Sequence, residues 1–284
     1  MRVAALGGGH GLAASLGAVR RYASDVTAVV SVADDGGSSG RLRAALGIPA
    51  PGDLRKSLVA LAEPGSVWAR TFEHRFDAGE LTGHALGNLV LAALAETTGD
   101  FAAAVDHAAH LLGCAGRVLP ATSGPVVLEA ECRDGARLRG QVAIVHGGPV
   151  ARISFEPADP PTPPAVVEAL AHADQLVIGP GSLFTSVLAV SAVPAVREAI
   201  AAASATRVYV CNLRTDPETT GFDVADHVSA LARHGVAVDV VLCDPGSLPR
   251  GHLEVACVER PVALDDGSAH DPVRLADALA GLVG

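Results

Sequence analysis

Residues 31–58, with the sequence SVADDGGSSGRLRAALGIPAPGDLRKSL, combine two adjacent carboxylates, a glycine-serine loop and four cationic side chains. The pair Asp34 and Asp35 could chelate Mg²⁺ through water molecules or accept a hydrogen bond from a sugar hydroxyl. Aspartates before two glycines are equally typical of a tight turn, in which the carboxylate binds nearby backbone. Ser38, Ser39 and Arg41 follow directly. Together these groups favour a phosphorylated, sugar-like or nucleotide-like ligand.

The segment PGDLRK at 51–56 predicts an anion-binding helix end. Asp53 is expected to cap a helix whose leucines recur at the spacing of one apolar face. Arg55 and Lys56, the only lysine of the chain, would then lie in the first turn. Positive charge there opposes the helix dipole by roughly 0.3–1 kcal/mol per residue, and a bound anion would reverse that effect. A solvated surface pair is the alternative.

The glycine loop, residues 8–11, lies between an apolar strand and a helix rich in Ala and Leu. From Gly9 onward it fits G-x-G-x-x-A, whose glycines let backbone N–H groups approach a phosphate at the helix N-terminus. With Asp34 in the place of a ribose-binding acid, a dinucleotide site is a further hypothesis. A tight turn between strand and helix explains the loop almost equally well. No Gly-Lys-Ser/Thr follows, so this is not a Walker A loop.

Asn88 is an unusual residue for a helix interior, and its amide could bind a base or sugar edge. Gly87 beside it is best explained by close helix packing, and His84 is as typical of a helix end as of a catalyst. The sequence has no Ser–His–Asp order, no cluster of metal ligands and no reactive-cysteine context. It therefore predicts a binding site without a catalytic residue or a bound metal.

Polar or glycine-rich loops follow five candidate strands, and this pattern predicts where the side chains meet. The loops are GGGHG, ADDGGSSG, GPGS, CNLRTDPE and CDPGS. In an open parallel sheet the carboxyl ends of the strands lie at one edge, where ligands bind. Turns are rich in Gly and Asp for structural reasons too, but these loops also contain Arg, Asn, Ser and His. We therefore expect one ligand cleft at that edge.

The order of elements predicts an α/β fold: a Rossmann-like, doubly wound and mainly parallel sheet in a single domain of 284 residues. Strands are expected at 3–6, 26–31, 176–178, 208–210 and 238–242, with helices at about 53–112 and 272–282. Short alternating runs with Asp-Gly and Gly-Gly turns predict an antiparallel insertion at about 117–156. The uncharged run 175–196 is broken by Gly-Pro-Gly and Pro194, which favours strand, turn and buried helix over a membrane span.

Composition narrows the class of protein. A net charge of −10 argues against a nucleic-acid binder and against attachment to an anionic membrane. The five cysteines have no C-x-x-C spacing, as expected for buried, reduced thiols of a cytoplasmic protein. The N-terminal apolar run is too short for a signal peptide. A homo-oligomer and a regulatory protein partner stay open.

Eight segments resemble one known family, in order along the chain. They are GGGHGL, VTAVVSVADDGGSSGRLR, PGDLRKSLVAL, FEHRF, GHALGNLVLAAL, GRVLP, GPGSLFTS and VYVCNLRTDPETTGFDVADH. The sequence resembles the YvcK family, the gluconeogenesis factors, which is related to the CofD-type 2-phospho-L-lactate transferases. That family usually has threonine where this chain has His10, and often has Asn or an apolar residue where this chain has Lys56.

The resemblance implies a Rossmann-like cytoplasmic protein that binds UDP-sugars, notably UDP-N-acetylglucosamine, and regulates cell shape, cell-wall synthesis and central carbon metabolism. It implies no established enzymatic activity. The alternative, from the CofD relationship, is a transferase of phosphorylated or nucleotide-activated substrates that uses Mg²⁺ at Asp34 and Asp35. The residues expected to line the ligand cleft are Gly8, Gly9, His10, Gly11, Asp34, Asp35, Ser38, Ser39, Arg41, Asp53, Arg55, Lys56, Asn88, Gly181, Ser182, Asn212 and Arg214.

Overall fold

A computed structural model describes residues 1–282 of the chain. Within them the strands are β1 (Arg2–Gly7), β2 (Asp25–Val30), β3 (Arg117–Pro120), β4 (Val127–Cys132), β5 (Arg137–Arg139), β6 (Val150–Glu156), β7 (Gln175–Ile178), β8 (Thr206–Val210), β9 (Val240–Cys243) and β10 (Ala256–Glu259). The helices are α1 (Gly9–Val19), α2 (Gly37–Leu46), α3 (Gly52–Leu61), α4 (Val67–Glu73), α5 (Leu86–Thr98), α6 (Phe101–Leu112), α7 (Gln141–His146), α8 (Pro164–His172), α9 (Leu188–Ser191), α10 (Pro194–Ala202), α11 (Val224–Arg233) and α12 (Pro272–Ala280). A π-helical turn, Leu183–Val187, leads directly into α9.

Seven strands form one parallel sheet in the order β10-β9-β8-β7-β1-β2-β3. Its inner strands are runs of Val, Ala, Leu and Ile buried on both faces, as is usual for a parallel sheet covered by helices. In β1 and β2, every residue after the first is buried. The predicted doubly wound α/β fold is confirmed, and the five predicted strands lie within two residues of their expected bounds.

Two strands of this sheet differ from expectation. The sequence predicts residues 117–120 as part of the antiparallel insertion, whereas β3 pairs in parallel with β2. The reason is burial: Val118 and Leu119 lie in the core. β10 extends the sheet beyond β9, and because it is short and partly exposed, no apolar run marks it in the sequence.

The antiparallel insertion is consequently smaller than predicted, and consists of β5, β4 and β6 within residues 127–156. The sequence predicts one of its short alternating runs at 138–145, LRGQVAIV, but this run is not a single strand, because β5 ends at Arg139 and α7 begins at Gln141. Gly140 separates them with a φ of +92°, a conformation that favours glycine. The insertion places α7 beside the loop that follows β8.

The uncharged stretch 175–196 is buried, as the sequence predicts. It forms β7, the π-helical turn and α9, and the residues from Leu183 to Ser191 are all buried. Among the described residues no single helix is long and apolar enough to cross a membrane, and one bent pair, Leu183–Ser191 with Pro194–Ala202, passes on length and composition alone. All five cysteines are free thiols, three buried and two half-buried.

Candidate functional site

A cleft lies at the carboxyl edge of the sheet, where the strand order reverses. From β1 the chain builds one half of the sheet through β2 and β3, then returns to the other side of β1 with β7. Ligands of open α/β sheets bind at such a switch point. The cleft measures about 300 Å³ and is lined by His10, Gly11, Ala14, Pro180, Gly181, Ser182, Asn212, Leu213, Arg214, Asp216, Ser268, Ala269 and His270. Three of the five predicted loops thus meet here.

The glycine loop forms one wall of the cleft. Helix α1 begins at Gly9, and among residues 1–282 no side chain caps its N-terminus and no acid lies in its first turn. Its first N–H groups lack intrahelical acceptors and carry the positive end of the helix dipole. A Cβ atom at Gly11 would overlap the carbonyl group of Pro180, so glycine allows the two loops to touch. This wall therefore presents backbone donors to the cleft.

The opposite wall is the loop after β8. The side-chain oxygen Oδ1 of Asn212 accepts a hydrogen bond of 3.1 Å from the backbone N–H of Gly181, which fixes the GPGS loop. The exposed Arg214 guanidinium donates to the carbonyl oxygen of Gly267, and this contact draws the loop before α12 over the cleft. A guanidinium has five N–H donors, so further donors of Arg214 are available to a ligand.

The residues 268–270 also line the cleft, and the sequence did not indicate them. Nε2 of His270 donates to the carbonyl oxygen of Cys211 at 3.2 Å, and burial lowers the pKa of this imidazole. The loop follows β10, the strand without an apolar signature. Because β10 has no apolar run, the pattern of strand followed by polar loop does not mark these residues in the sequence.

Asp34, Ser39, Asp53 and Lys56 come together behind the glycine loop. Lys56 Nζ lies 3.1 Å from Asp53 Oδ1, and only 6% of Asp53 is exposed. A Cβ atom at Gly8 would overlap the Asp53 carboxylate, so this acid touches the loop. Burial raises the pKa of the Asp34 carboxyl, and a hydrogen bond from the Gly36 N–H partly offsets that rise. Asp53 and Ser39 are among the groups that act on Asp34.

The predicted capping role of Asp53 is wrong. Helix α3 begins at Gly52 after Pro51, and Asp53, its second residue, makes no capping hydrogen bond. Its carboxylate pairs with Lys56 instead. Arg55 points towards α4 instead: it is 6% exposed, and its Nη1 lies 3.5 Å from the carbonyl oxygen of Phe72. Lys56 and Arg55 therefore contact different parts of the protein, although they are adjacent in sequence.

Close packing explains Gly87, as the sequence predicts. A Cβ atom at Gly87 would overlap the Phe72 ring and the aliphatic part of Arg55. Burial lowers the pKa of the Arg55 guanidinium, while the nearby Glu73 raises it. Arg55 thus packs α3 against α4 and α5.

Ser38, His84 and Asn88 form a hydrogen-bonded group that the sequence does not connect. Asn88 Nδ2 donates to Ser38 Oγ at 3.1 Å, and Ser38 Oγ lies 3.0 Å from His84 Nδ1. The amide nitrogen can only donate, so Ser38 Oγ accepts from Asn88, while the direction of its bond to His84 depends on the imidazole tautomer. Burial, Arg41 and Arg75 lower the pKa of His84, which favours the neutral ring. The side chain of Arg41 donates to the Thr82 carbonyl at 2.9 Å.

Asp35 points to the antiparallel insertion. Its Oδ1 accepts a 2.9 Å hydrogen bond from the N–H of Val142 in the first turn of α7. Asp34 and Asp35 therefore bind different partners despite their adjacency. In residues 1–282 no group of three or more His, Cys, Asp or Glu side chains is placed to hold a metal ion.

A buried carboxyl supports the loops from below. Glu218 is 2% exposed, and its Oε1 accepts a 2.9 Å hydrogen bond from the N–H of Phe184. Burial raises the pKa of Glu218 to about 7, with a smaller contribution from Asp216. Nearby, Tyr209 Oη lies 2.8 Å from His227 Nδ1, and burial lowers the pKa of His227 to about 4. The bond from Phe184 to Glu218 thus joins the segment after the GPGS loop to the loop after β8, and the Tyr209–His227 pair joins β8 to α11.

Comparison with known proteins identifies the family. The family described as 2-phospho-L-lactate transferase CofD matches residues 3–277. The chain is 43% identical over 253 residues to the gluconeogenesis factor of Bacillus subtilis, covering 87% of this chain and 80% of that one. It is 46% identical over 233 residues to a putative gluconeogenesis factor of a Nostoc species, or 81% of this chain. Because that match covers 51% of the relative, the chain spans about half of its length.

A solved structure agrees with this assignment. The crystal structure of a member of the UPF0052 family from Bacillus halodurans superimposes with a TM-score of 0.93, at 36% identity and over 98% of each chain. The likeness thus covers both the parallel sheet and the insertion. The chain therefore belongs to the CofD-like family of gluconeogenesis factors, the YvcK family.

Proposed function

We propose that this protein binds a nucleotide sugar, UDP-N-acetylglucosamine, in the cleft between the glycine loop and the loop after β8. The observation that carries the proposal is that two kinds of hydrogen-bond donor suited to an anion face the same cleft of about 300 Å³. They are the backbone N–H groups at the uncapped N-terminus of α1 and the guanidinium of Arg214. A diphosphate at the helix end would receive backbone N–H donors and charge-assisted bonds. The volume is at the lower end for small-molecule sites.

The role proposed for this binding is regulation in the cytoplasm. The GPGS loop is held on both sides, by Asn212 and by Glu218, so a ligand there would alter contacts between two loops. The family resemblance adds the proposed output: cell shape, cell-wall synthesis and central carbon metabolism. A sensor of this kind needs ligand affinity and no turnover.

Calorimetric titration of UDP-N-acetylglucosamine into the full chain tests the proposal, with UDP and NAD as comparison ligands. We expect saturable heat for the sugar nucleotide and weaker binding of NAD. Arg214→Gln should lower the affinity by about tenfold or more, since a hydrogen bond to a charged group is lost. Arg250→Gln, another exposed arginine, is the matched control. Absence of heat at millimolar ligand would refute nucleotide-sugar binding.

A second candidate is Mg²⁺-dependent group transfer of the CofD type. Its support is the family match and the carboxylate group behind the glycine loop. Mg²⁺ is commonly bound by one or two carboxylates together with substrate phosphates. Asp34 fits such a role because it lies beside Asp53 behind the glycine loop, whereas Asp35 hydrogen-bonds to Val142 of the insertion. When bound, the ion would stabilise charge on a transferring phosphoryl group.

The two candidates differ in their need for Mg²⁺. A transferase predicts that Asp34→Asn abolishes product formation and that chelation of Mg²⁺ weakens ligand binding. A sensor predicts binding that is unchanged by chelation, with intact ligand recovered after long incubation. Mass spectrometry of the incubated nucleotide sugar distinguishes these results.

A further inference from the structure

Three arginines line a second cavity, outside the cleft. Arg133 follows β4, Arg152 lies in β6 and Arg233 ends α11. With Ala151 they line a space of about 470 Å³. The three side chains come from three separate elements, so local sequence does not bring them together. We call them the arginine cluster.

The arginine cluster carries uncompensated charge. Within residues 1–282, none of its three exposed guanidinium groups forms an ion pair with a carboxylate; among the described arginines only Arg2, Arg139, Arg207 and Arg274 do. This occurs in a chain with a net charge of −10, in which acidic partners are plentiful. Converging like charges are unfavourable unless an anion joins them.

One guanidinium is held in position by an aromatic ring. The Cζ atom of Arg133 lies 4.4 Å from the centroid of the Phe222 ring, as in a cation–π pair. Phe222 is 2% exposed and packs edge-to-face on Phe184 and His227. Its position is therefore fixed by the core, and a fixed guanidinium loses less freedom on binding a ligand.

Local structure explains only part of this arrangement. Arg233 in the last turn of α11 is stabilised by the helix dipole. Arg152 stands opposite Glu131 in the register of β6 and β4, yet no ion pair joins these two described residues. Burial lowers the pKa of the adjacent His234, and Arg152 and Arg233 lower it further. The N–H of Ile153 donates to Nε2 of His234 at 3.1 Å, so the residues that follow Arg152 and Arg233 are in contact.

We propose that the arginine cluster is a second anion site, which binds a small molecule through a phosphate group. A guanidinium matches two oxygens of phosphate or carboxylate. Three of them together favour a ligand with several charges and oxygens, such as a phosphate group, over a single carboxylate. The cavity is larger than one phosphate, so a phosphate ester or a pyrophosphate fits. This inference does not depend on the function proposed for the cleft.

Calorimetric titration with inorganic pyrophosphate at low ionic strength tests the second site. The cleft also attracts anions, so the titration is made in the Arg214→Gln background. We expect one bound pyrophosphate there, and a fall of about tenfold or more in affinity when Arg152→Gln and Arg233→Gln are added. Arg21→Gln, which removes an exposed arginine elsewhere, should leave the affinity unchanged. Acetate should fail to compete.

Two results would overturn the proposal: no pyrophosphate binding in the Arg214→Gln chain at millimolar concentration, or equal affinity with and without the two added substitutions. Circular dichroism checks that the variants are folded. If the double variant does not fold, Arg152→Lys replaces it, since lysine keeps the charge and loses the paired donors. That variant should bind pyrophosphate more weakly, and unchanged binding would again reject the site.

Discussion

Gly11 is the residue on which the shape of the cleft depends most directly. It lies at the point where the glycine loop touches the Pro180 carbonyl, and even one methyl group there would overlap backbone. Backbone atoms cannot rotate away as side chains can, so the loops themselves would have to separate. The contact also sets the distance between the N-terminus of α1 and Ser182.

Gly11→Ala should therefore destabilise the chain by about 1–3 kcal/mol, the usual cost of overpacking. It should also weaken ligand binding, because the two walls of the cleft move apart. Gly124→Ala is the control, since a Cβ atom there meets nothing within 4 Å. Urea unfolding of both variants measures the effect. Equal stability of Gly11→Ala and wild type would show that the loops do not touch as described.

Glu218 predicts a specific pH dependence of stability. Burial raises its pKa from 4.5 to about 7, so the folded state favours the protonated acid. The stability associated with this proton is complete below the unfolded pKa of 4.5 and is lost as pH rises through about 7, a change of about 3 kcal/mol. Glu218→Gln removes it, so the variant should gain stability over wild type at pH 8 and not at pH 4.5. Urea unfolding at both pH values decides, and parallel pH profiles would contradict the assignment.

The loops after parallel strands are the elements that the sequence predicted best. An apolar run followed by polar residues marks each strand end, and parallel strands share one edge, so the loops can be assigned to that edge without the strand order, although only three of the five line the cleft. Strand order is what the sequence withheld. It decides that β1 and β7 are neighbours, and hence that His10 faces Asn212 and Arg214. Strand β10 was also not predicted, and so the residues from Ser268 to His270, in the loop that follows it, were missed.

Contacts between side chains that are distant in the sequence could not be predicted for a similar reason. Ser38 and His84 meet only because α2 packs on α5, and no local pattern reports that packing. The wrong cap at Asp53 had a local cause: the helix starts two residues earlier than a cap at Asp53 requires, at Gly52 and not at Leu54. Asp35 was predicted as half of a carboxylate pair, but its carboxylate accepts a hydrogen bond from the first turn of α7. That helix was not predicted, because its residues read as part of a strand.

Asp35→Ala should loosen the antiparallel insertion and leave the cleft intact. The carboxylate accepts a hydrogen bond from an N–H in the first turn of α7, and loss of such a bond typically costs about 1 kcal/mol. Ligand affinity should stay at the wild-type value, because Asp35 is bound to Val142. Asp159→Ala, at an exposed aspartate, is the control for charge removal. A large loss of affinity in Asp35→Ala would place that carboxylate at the ligand instead.

On the scale of the whole molecule, this acidic chain has arginine side chains at two separate cavities. Arg214 faces the cleft, and the arginine cluster lines the second cavity. Phe222 and Phe184 lie between them: Phe222 packs under Arg133, and the N–H of Phe184 binds Glu218 beneath the cleft loops. The two cavities are thus joined through one buried aromatic group.

Ligand binding should stabilise the whole fold by mass action. At a free concentration about 100 times the dissociation constant, UDP-N-acetylglucosamine should add about 2.7 kcal/mol to the free energy of unfolding. Thermal unfolding with increasing ligand measures this as a rising midpoint. Arg214→Gln should need a higher concentration for the same rise, while Arg250→Gln should follow wild type. A midpoint independent of ligand would contradict binding to the folded state.

A crystal structure of the chain with UDP-N-acetylglucosamine tests the central claim most directly. The account predicts that the diphosphate lies against the first turn of α1, near Arg214, with the ligand between the glycine loop and the loop after β8. Ligand density at the arginine cluster alone, or an empty cleft in crystals grown at saturating ligand, would contradict it.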